Sequence, residues 1–138
     1  MKTVEAWVDG SFNKINNYYG WAYAIRNGAK FDTACGADNR ASEIWNVAGE
    51  LSAVMHLVYN QTRDGYDKKF IIHHDYQGIS MWAEGKWKTK NDWTKKYKAF
   101  IDHYISLGVQ FEFVKVKGHS GDYGNELVDG LAKSACCK

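Results

Sequence analysis

Thr3-Val4-Glu5-Ala6-Trp7-Val8-Asp9-Gly10-Ser11 and Tyr18-Tyr19-Gly20-Trp21-Ala22-Tyr23-Ala24-Ile25-Arg26-Asn27-Gly28 open the 138-residue chain and decide its fold class. In the first stretch Val4, Ala6 and Val8 alternate with other residues, which predicts a strand with one apolar face ending at Asp9. Gly10 and the polar run 13–17 predict a turn. Residues 18–26 are aromatic and β-prone, and Asn27-Gly28 is a hairpin signal. Residues 30–35 then return as a third strand. The expectation is three antiparallel strands in succession.

Beyond this meander the period changes. Ile44, Val47, Ala48, Leu51, Val54, Met55 and Val58 recur at helical spacing, with Ser42 as the expected cap. Residues 69–74 predict a short buried strand, and 77–83 a short helix. Trp93, Tyr97, Phe100, Ile101 and Tyr104 form the apolar stripe of a longer helix. Val109, Phe111 and Phe113 alternate as a fifth strand, and Leu127, Val128, Leu131 and Ala135 place a last helix over about 123–135. A meander followed by strand–helix alternation predicts an α/β domain with a five-stranded mixed sheet, three antiparallel strands then two parallel, flanked by helices. At this length a single domain over 1–138 is expected.

Four carboxylates occupy distinctive places in that frame. Asp9 ends the first strand, and Asp75 lies just past the fourth, where open α/β sheets present ligands. Glu50 falls beyond the edge of its helix's apolar stripe, which predicts a position bordering the sheet without burial in the core. Asp129 lies away from Leu127 and Leu131 and shares a face with Asn125. Carboxylates that converged would repel one another unless cations filled the site.

Four blocks carry a resemblance: Val8-Asp9-Gly10-Ser11, Ala48-Gly49-Glu50-Leu51, His74-Asp75-Tyr76-Gln77, and Lys117-Gly118-His119-Ser120-Gly121 followed by Asn125-Glu126 and Asp129-Gly130-Leu131-Ala132. In order and spacing they resemble the type-one ribonuclease H family, from about Thr3 to Lys133. Asp75-Tyr76-Gln77-Gly78-Ile79 with Trp82 and Gly85-Lys86-Trp87-Lys88 is similar to one bacterial, handle-less branch of it.

The resemblance implies a ribonuclease H-like fold and an endonuclease that hydrolyses the RNA strand of RNA–DNA hybrids, leaving 5′-phosphate and 3′-hydroxyl ends. It implies two Mg²⁺ per site, with Mn²⁺ as a possible substitute, held by Asp9, Glu50, Asp75 and Asp129; hard cations prefer such oxygen ligands. Asp9 would bridge both ions. His119 would assist proton transfer or product release, and Glu126 would tune the metal beside Asp129. Ser11, Asn13, Asn46 and Gln77 are the polar residues expected to read ribose 2′-hydroxyls, the groups that tell RNA from DNA.

Two departures concern the grip on substrate. Trp45 stands where the family often has a phosphate-contacting threonine, and Gly85–Asn91 replaces the basic handle of many relatives. From Lys86 to Lys98 there are still six lysines and one aspartate, interleaved with Trp87 and Trp93, so Trp87, Lys88 and Lys90 are the expected contacts there.

The remaining features point to less. A net charge of +2 argues neither for nor against nucleic acid. His73 and His74 lack a matching cluster at zinc-ligand spacing and are read as structural. Cys35, Cys136 and Cys137 do not form a disulfide framework, and the last two read as an inert tail. No stretch approaches the ~20 apolar residues of a membrane span, and no signal peptide is read. A soluble, cytoplasmic monomer is therefore expected. Two other readings fit the fold class: a catalytically silent hybrid-binding module, and a transposase- or resolvase-like nuclease. The first usually lacks one of the carboxylates, and the second lacks the Gly118-to-Asp129 block.

Overall fold

The computed structural model describes residues 1–39, 45–117 and 121–136, with the side chains of 45 and 46 outside that description. The expected cap at Ser42 lies outside the described residues as well. The elements run β1 (Lys2–Asn13), β2 (Tyr18–Asn27), β3 (Lys30–Asp38), α1 (Trp45–Gln61), β4 (Lys68–His74), α2 (Gly78–Ala83), α3 (Asp92–Ser106), β5 (Gln110–Lys115) and α4 (Tyr123–Cys136). The sheet order is β3-β2-β1-β4-β5. The first three strands pair antiparallel, and β4 and β5 join parallel to β1.

The β2–β3 turn follows from its sequence. Asn27 pairs with Lys30, and Gly28 takes φ +63°, a conformation open to glycine at no steric cost. The first strand is longer than its alternation predicts. It continues through Gly10 to Asn13, because residues 10–13 keep pairing with residues 18–21 of β2. Asp9 therefore lies inside β1 rather than at its end.

Alternation along β1 sorts the core into two layers. Val4, Ala6 and Val8 join Phe70 and Ile72 against Leu51, Val54, Leu57 and Val58 of α1, with Ile79 of α2 and Tyr97 and Ile101 of α3. Trp7 faces the other way with Ala22 and Ala24, against Val128 and Ala132 of α4. Burying each large apolar side chain contributes roughly 1.5–3 kcal/mol, so this double-sided packing fixes the sheet between its helices.

Two local features hold α3 on that frame. Asn91 caps its start: its side chain accepts from the Thr94 N–H at 2.9 Å, and Thr94 Oγ1 accepts the Asn91 N–H at 3.3 Å. The Tyr97 hydroxyl donates to the Ile79 carbonyl at 2.7 Å, which ties α3 to α2.

The last helix corrects the expectation for its end. Cys136 is buried rather than part of a loose tail, and its carbonyl accepts from Asn13 Nδ2 at 3.1 Å and Asn16 Nδ2 at 3.0 Å. Cys137 lies outside the described residues.

Candidate active site

The site begins where the sheet opens. Parallel pairing of β1 with β4 ends at Trp7 and His73. Two residues further along the chain from these are Asp9, still in β1, and Asp75, one residue past the end of β4. There β1 continues with β2 as its partner, while the chain after β4 turns away toward α2. This divergence makes a crevice at the carboxyl ends of parallel strands.

Glu50 reaches the crevice because α1 lies almost on the β1 backbone. A Cβ on Gly10 would sit 2.2 Å from the Glu50 nitrogen, and one on Gly49 would sit 2.2 Å from the Gly20 carbonyl oxygen. Only glycine permits that approach at both places. The Gly10 N–H then donates to Glu50 Oε1 at 2.6 Å and to Asp9 Oδ1 at 2.9 Å. Glu50 is accordingly buried, only 5% exposed, not merely at the border of the core as its helical position predicts.

One carboxylate oxygen from each of Asp9, Glu50 and Asp75 lies within 4.8 Å of the others. Burial is the main cause that lifts Asp9 to a pKa of about 7, with the charges of Asp75 and Asp129 adding to it and the Glu50 hydrogen bond opposing it. Burial also lifts Glu50 well above the usual carboxylate range, reinforced by its bond to Asp9 and by repulsion. Both carboxyls are thus harder to ionise than free ones, and they titrate as a coupled pair. Tyr76 borders the pair; its hydroxyl pKa is raised by burial and by the Glu50 charge. Sequence reasoning passed over Tyr76, although its place next to Asp75 was the available signal.

This donor set fits a hard divalent cation. All three candidate donors are carboxylate oxygens, and two of the three side chains are buried. A bound cation would favour the ionised forms of both buried carboxyls.

Asp129 is not in the triad. It is half-buried on α4 and pairs with Lys133 at 3.0 Å, but its charge is felt at Asp9. As the sequence predicts, it shares a face with Asn125, whose side chain is buried. Glu126 is exposed on the same helix. His119 and the side chain of Asn46 lie outside the described residues.

The expected substrate contacts fall into three kinds. Ser11 is half-buried on β1 beside Gly20, and Gln77 is exposed at the start of α2. Asn13 is committed within the fold: Nδ2 donates to Cys136 and Oδ1 accepts from the Ile15 N–H at 2.9 Å. Lys88 and Lys90 are exposed, and the Trp87 ring stands edge-on to Trp82 at 5.4 Å. Trp82, Trp87, Lys88 and Lys98 line a shallow cavity of 350 Å³.

The histidine pair divides as alternation requires. His73 stacks on Trp7 at 4.3 Å and bonds Glu5 through Nε2 at 2.9 Å. His74 is fully buried, its Nδ1 lies 3.0 Å from the Tyr76 carbonyl oxygen, and burial lowers its pKa.

Comparison with known proteins bears on this geometry. The family model described as RNase H matches residues 1–137. The chain is similar to the ribonuclease H of Treponema denticola, 29% identical with 98% of each chain covered. It is also similar to that of Verminephrobacter eiseniae, 32% identical over 96% of this chain and 89% of the relative. In fold it is similar to ribonuclease H1 of Halobacterium salinarum, with a TM-score of 0.77, 18% identity and 96% of each chain covered. A ribonuclease H1 named LC11, solved in complex with an RNA/DNA hybrid, superposes with a TM-score of 0.74 at 17% identity, covering 96% of this chain and 98% of that one.

Proposed function

Because this chain belongs to the ribonuclease H family, we propose that it hydrolyses the RNA strand of RNA–DNA hybrids at the crevice between β1 and β4. The observation that carries the reading is the convergence of Asp9, Glu50 and Asp75, two of them buried, within 4.8 Å of one another.

Asp9, Glu50 and Asp75 would hold divalent cations, with Asp129 completing a second position. Mg²⁺ is the proposed ion and Mn²⁺ its substitute. When bound, the cations activate a water and stabilise the leaving 3′ oxygen, giving 5′-phosphate and 3′-hydroxyl products. The protein's own contribution is positional. The Gly10 N–H holds both buried carboxylates in one orientation. A cation held there would favour the ionised forms of Glu50 and Asp9. Lys133 fixes the Asp129 carboxylate from the solvent side. His119 would serve proton transfer or product release, and Glu126 would tune the Asp129 side.

Substrate selection would rest on Ser11, Asn46 and Gln77 reaching sugar hydroxyls, with Asn13 buttressing the turn beside them. Trp87, Lys88 and Lys90 would engage phosphates and sugars further along. The chain would work as a single-domain monomer.

The deciding experiment is Mg²⁺-dependent cleavage of labelled RNA–DNA hybrid, double-stranded RNA and double-stranded DNA, with Asp9→Asn as control. Cleavage of the hybrid alone, lost in the variant, is expected. Hybrid binding without cleavage by the wild-type protein would identify a silent binding module instead.

A further inference from the structure

We propose that His74 is a positioning residue for Asp75, acting through a hydrogen bond from its Nδ1–H to the carbonyl of Tyr76. The inference rests on the functional reading above, since Asp75 matters only if the crevice binds metal. A carbonyl oxygen only accepts, so Nδ1 carries the hydrogen and Nε2 is the unprotonated nitrogen. The ring is fully buried, and Nε2 has no partner among the described residues. An unpaired buried polar atom is unfavourable, and an apolar side chain would avoid it. What the imidazole supplies in return is the Nδ1 bond.

That bond closes a turn around Asp75. The Tyr76 carbonyl accepts from His74 Nδ1 at 3.0 Å and from the Ile79 N–H at 3.2 Å, which ties the turn to the first residues of α2. The His74 carbonyl accepts from the Val116 N–H at 2.7 Å, which ties the strand end to the chain leaving β5. Asp75, with its half-buried carboxylate, lies between these two anchors, so their bonds fix the backbone that aims it. His73, one residue earlier, faces the opposite side of the sheet and makes no such link.

The test compares His74→Asn with His74→Leu. Asparagine presents an N–H where the imidazole presents Nδ1, and leucine has similar size without a donor. Mn²⁺ affinity is measured by calorimetry without hybrid, and the Mg²⁺ needed for half-maximal cleavage is measured with it. His74→Leu is expected to weaken both by about tenfold, within the range that loss of a ligand-orienting partner produces, while KM for hybrid at saturating Mg²⁺ stays unchanged. His74→Asn is expected to match the wild type. Unchanged metal dependence in His74→Leu, or equal losses in both variants, would overturn the proposal. If His74→Leu fails to fold, the ¹⁵N spectrum of the wild-type imidazole decides: Nδ1 protonation supports it and Nε2 protonation overturns it. A wild-type protein that neither binds Mn²⁺ nor cleaves hybrid would instead overturn the functional reading beneath it.

Discussion

The crevice between β1 and β4 and the strip from Gly85 to Lys98 are built on opposite terms. In the crevice, Asp9 and Glu50 are buried, held by one N–H, and set by two glycines that leave no room for a side chain. On the strip, Lys88 and Lys90 stand in solvent, and Lys96 lies over the Trp93 ring at 5.7 Å. Desolvated charges interact strongly and geometry is everything to them. Exposed ones act weakly, additively and in proportion to salt. The chemistry should therefore fail abruptly under substitution, and the grip gradually.

The largest break should come from Asp9→Asn, which removes one of the two buried carboxylates of the cluster. Cleavage of labelled hybrid is expected to fall by a thousandfold or more, equivalent to roughly 4 kcal/mol of barrier, with the circular dichroism spectrum retained. Residual activity within tenfold of wild type would sink the site assignment.

Gly49→Ala tests whether packing or charge defines the crevice. A methyl group there meets the Gly20 carbonyl, so α1 must lift from the sheet and carry Glu50 with it. Thermal unfolding should show a loss of about 1–3 kcal/mol, the usual cost of overpacking, together with weaker Mg²⁺ binding. An unaltered melting curve would show that the close approach is dispensable.

A third comparison sets the metal-free protein at different pH values. The folded pKa of Asp9 is about 7 against an ordinary 3.8, and Glu50 is also raised, so the folded state holds more protons than the unfolded one between those limits. The stability linked to these raised values is full below about pH 4 and declines as pH rises through about 7. The melting temperature of the metal-free protein should fall over that window. Mg²⁺ should restore it at pH 8, and Glu50→Gln should flatten the dependence. A metal-free melting temperature that rose from pH 5 to 8 in step with cluster ionisation would contradict the buried pair.

The smallest effects belong to the strip. Lys88→Ala or Lys90→Ala should raise KM a few-fold at moderate salt and reduce the slope of log affinity against log salt by roughly one, leaving kcat and the melting temperature in place. A change in kcat larger than in KM would move that lysine into the chemistry.

Much of this contrast is visible in the residue order, for different reasons. The strands and helices of the described residues follow from apolar period together with β-propensity and turn signals, because burial of one face imposes a repeat of two or 3.6 on the apolar residues. The boundaries that moved did so through pairing. β1 runs on to Asn13 because β2 offers partners there, which a one-dimensional pattern does not record. The four carboxylates are recognisable from their motifs, and the placement of Asp75 past a strand end follows from local pattern. The burial of Glu50 is not, since it depends on a contact between Gly10 and Gly49 across the fold. Nor is the engagement of Asn13 with the end of α4, or the burial of Cys136 at a terminus that looks disposable.

By itself, then, the sequence determined the element order, the mixed sheet and the identity of the acidic residues, because these are written in local period and motif. The tertiary structure decided that Asp9, Glu50 and Asp75 form one cluster while Asp129 stands beside it on Lys133. It also decided that burial holds the pKa values of Asp9 and Glu50 above the usual carboxylate range. Periodicity specifies which face a residue occupies. Distance and desolvation depend on how closely two backbones approach, and here that approach is set by glycines far apart in the chain.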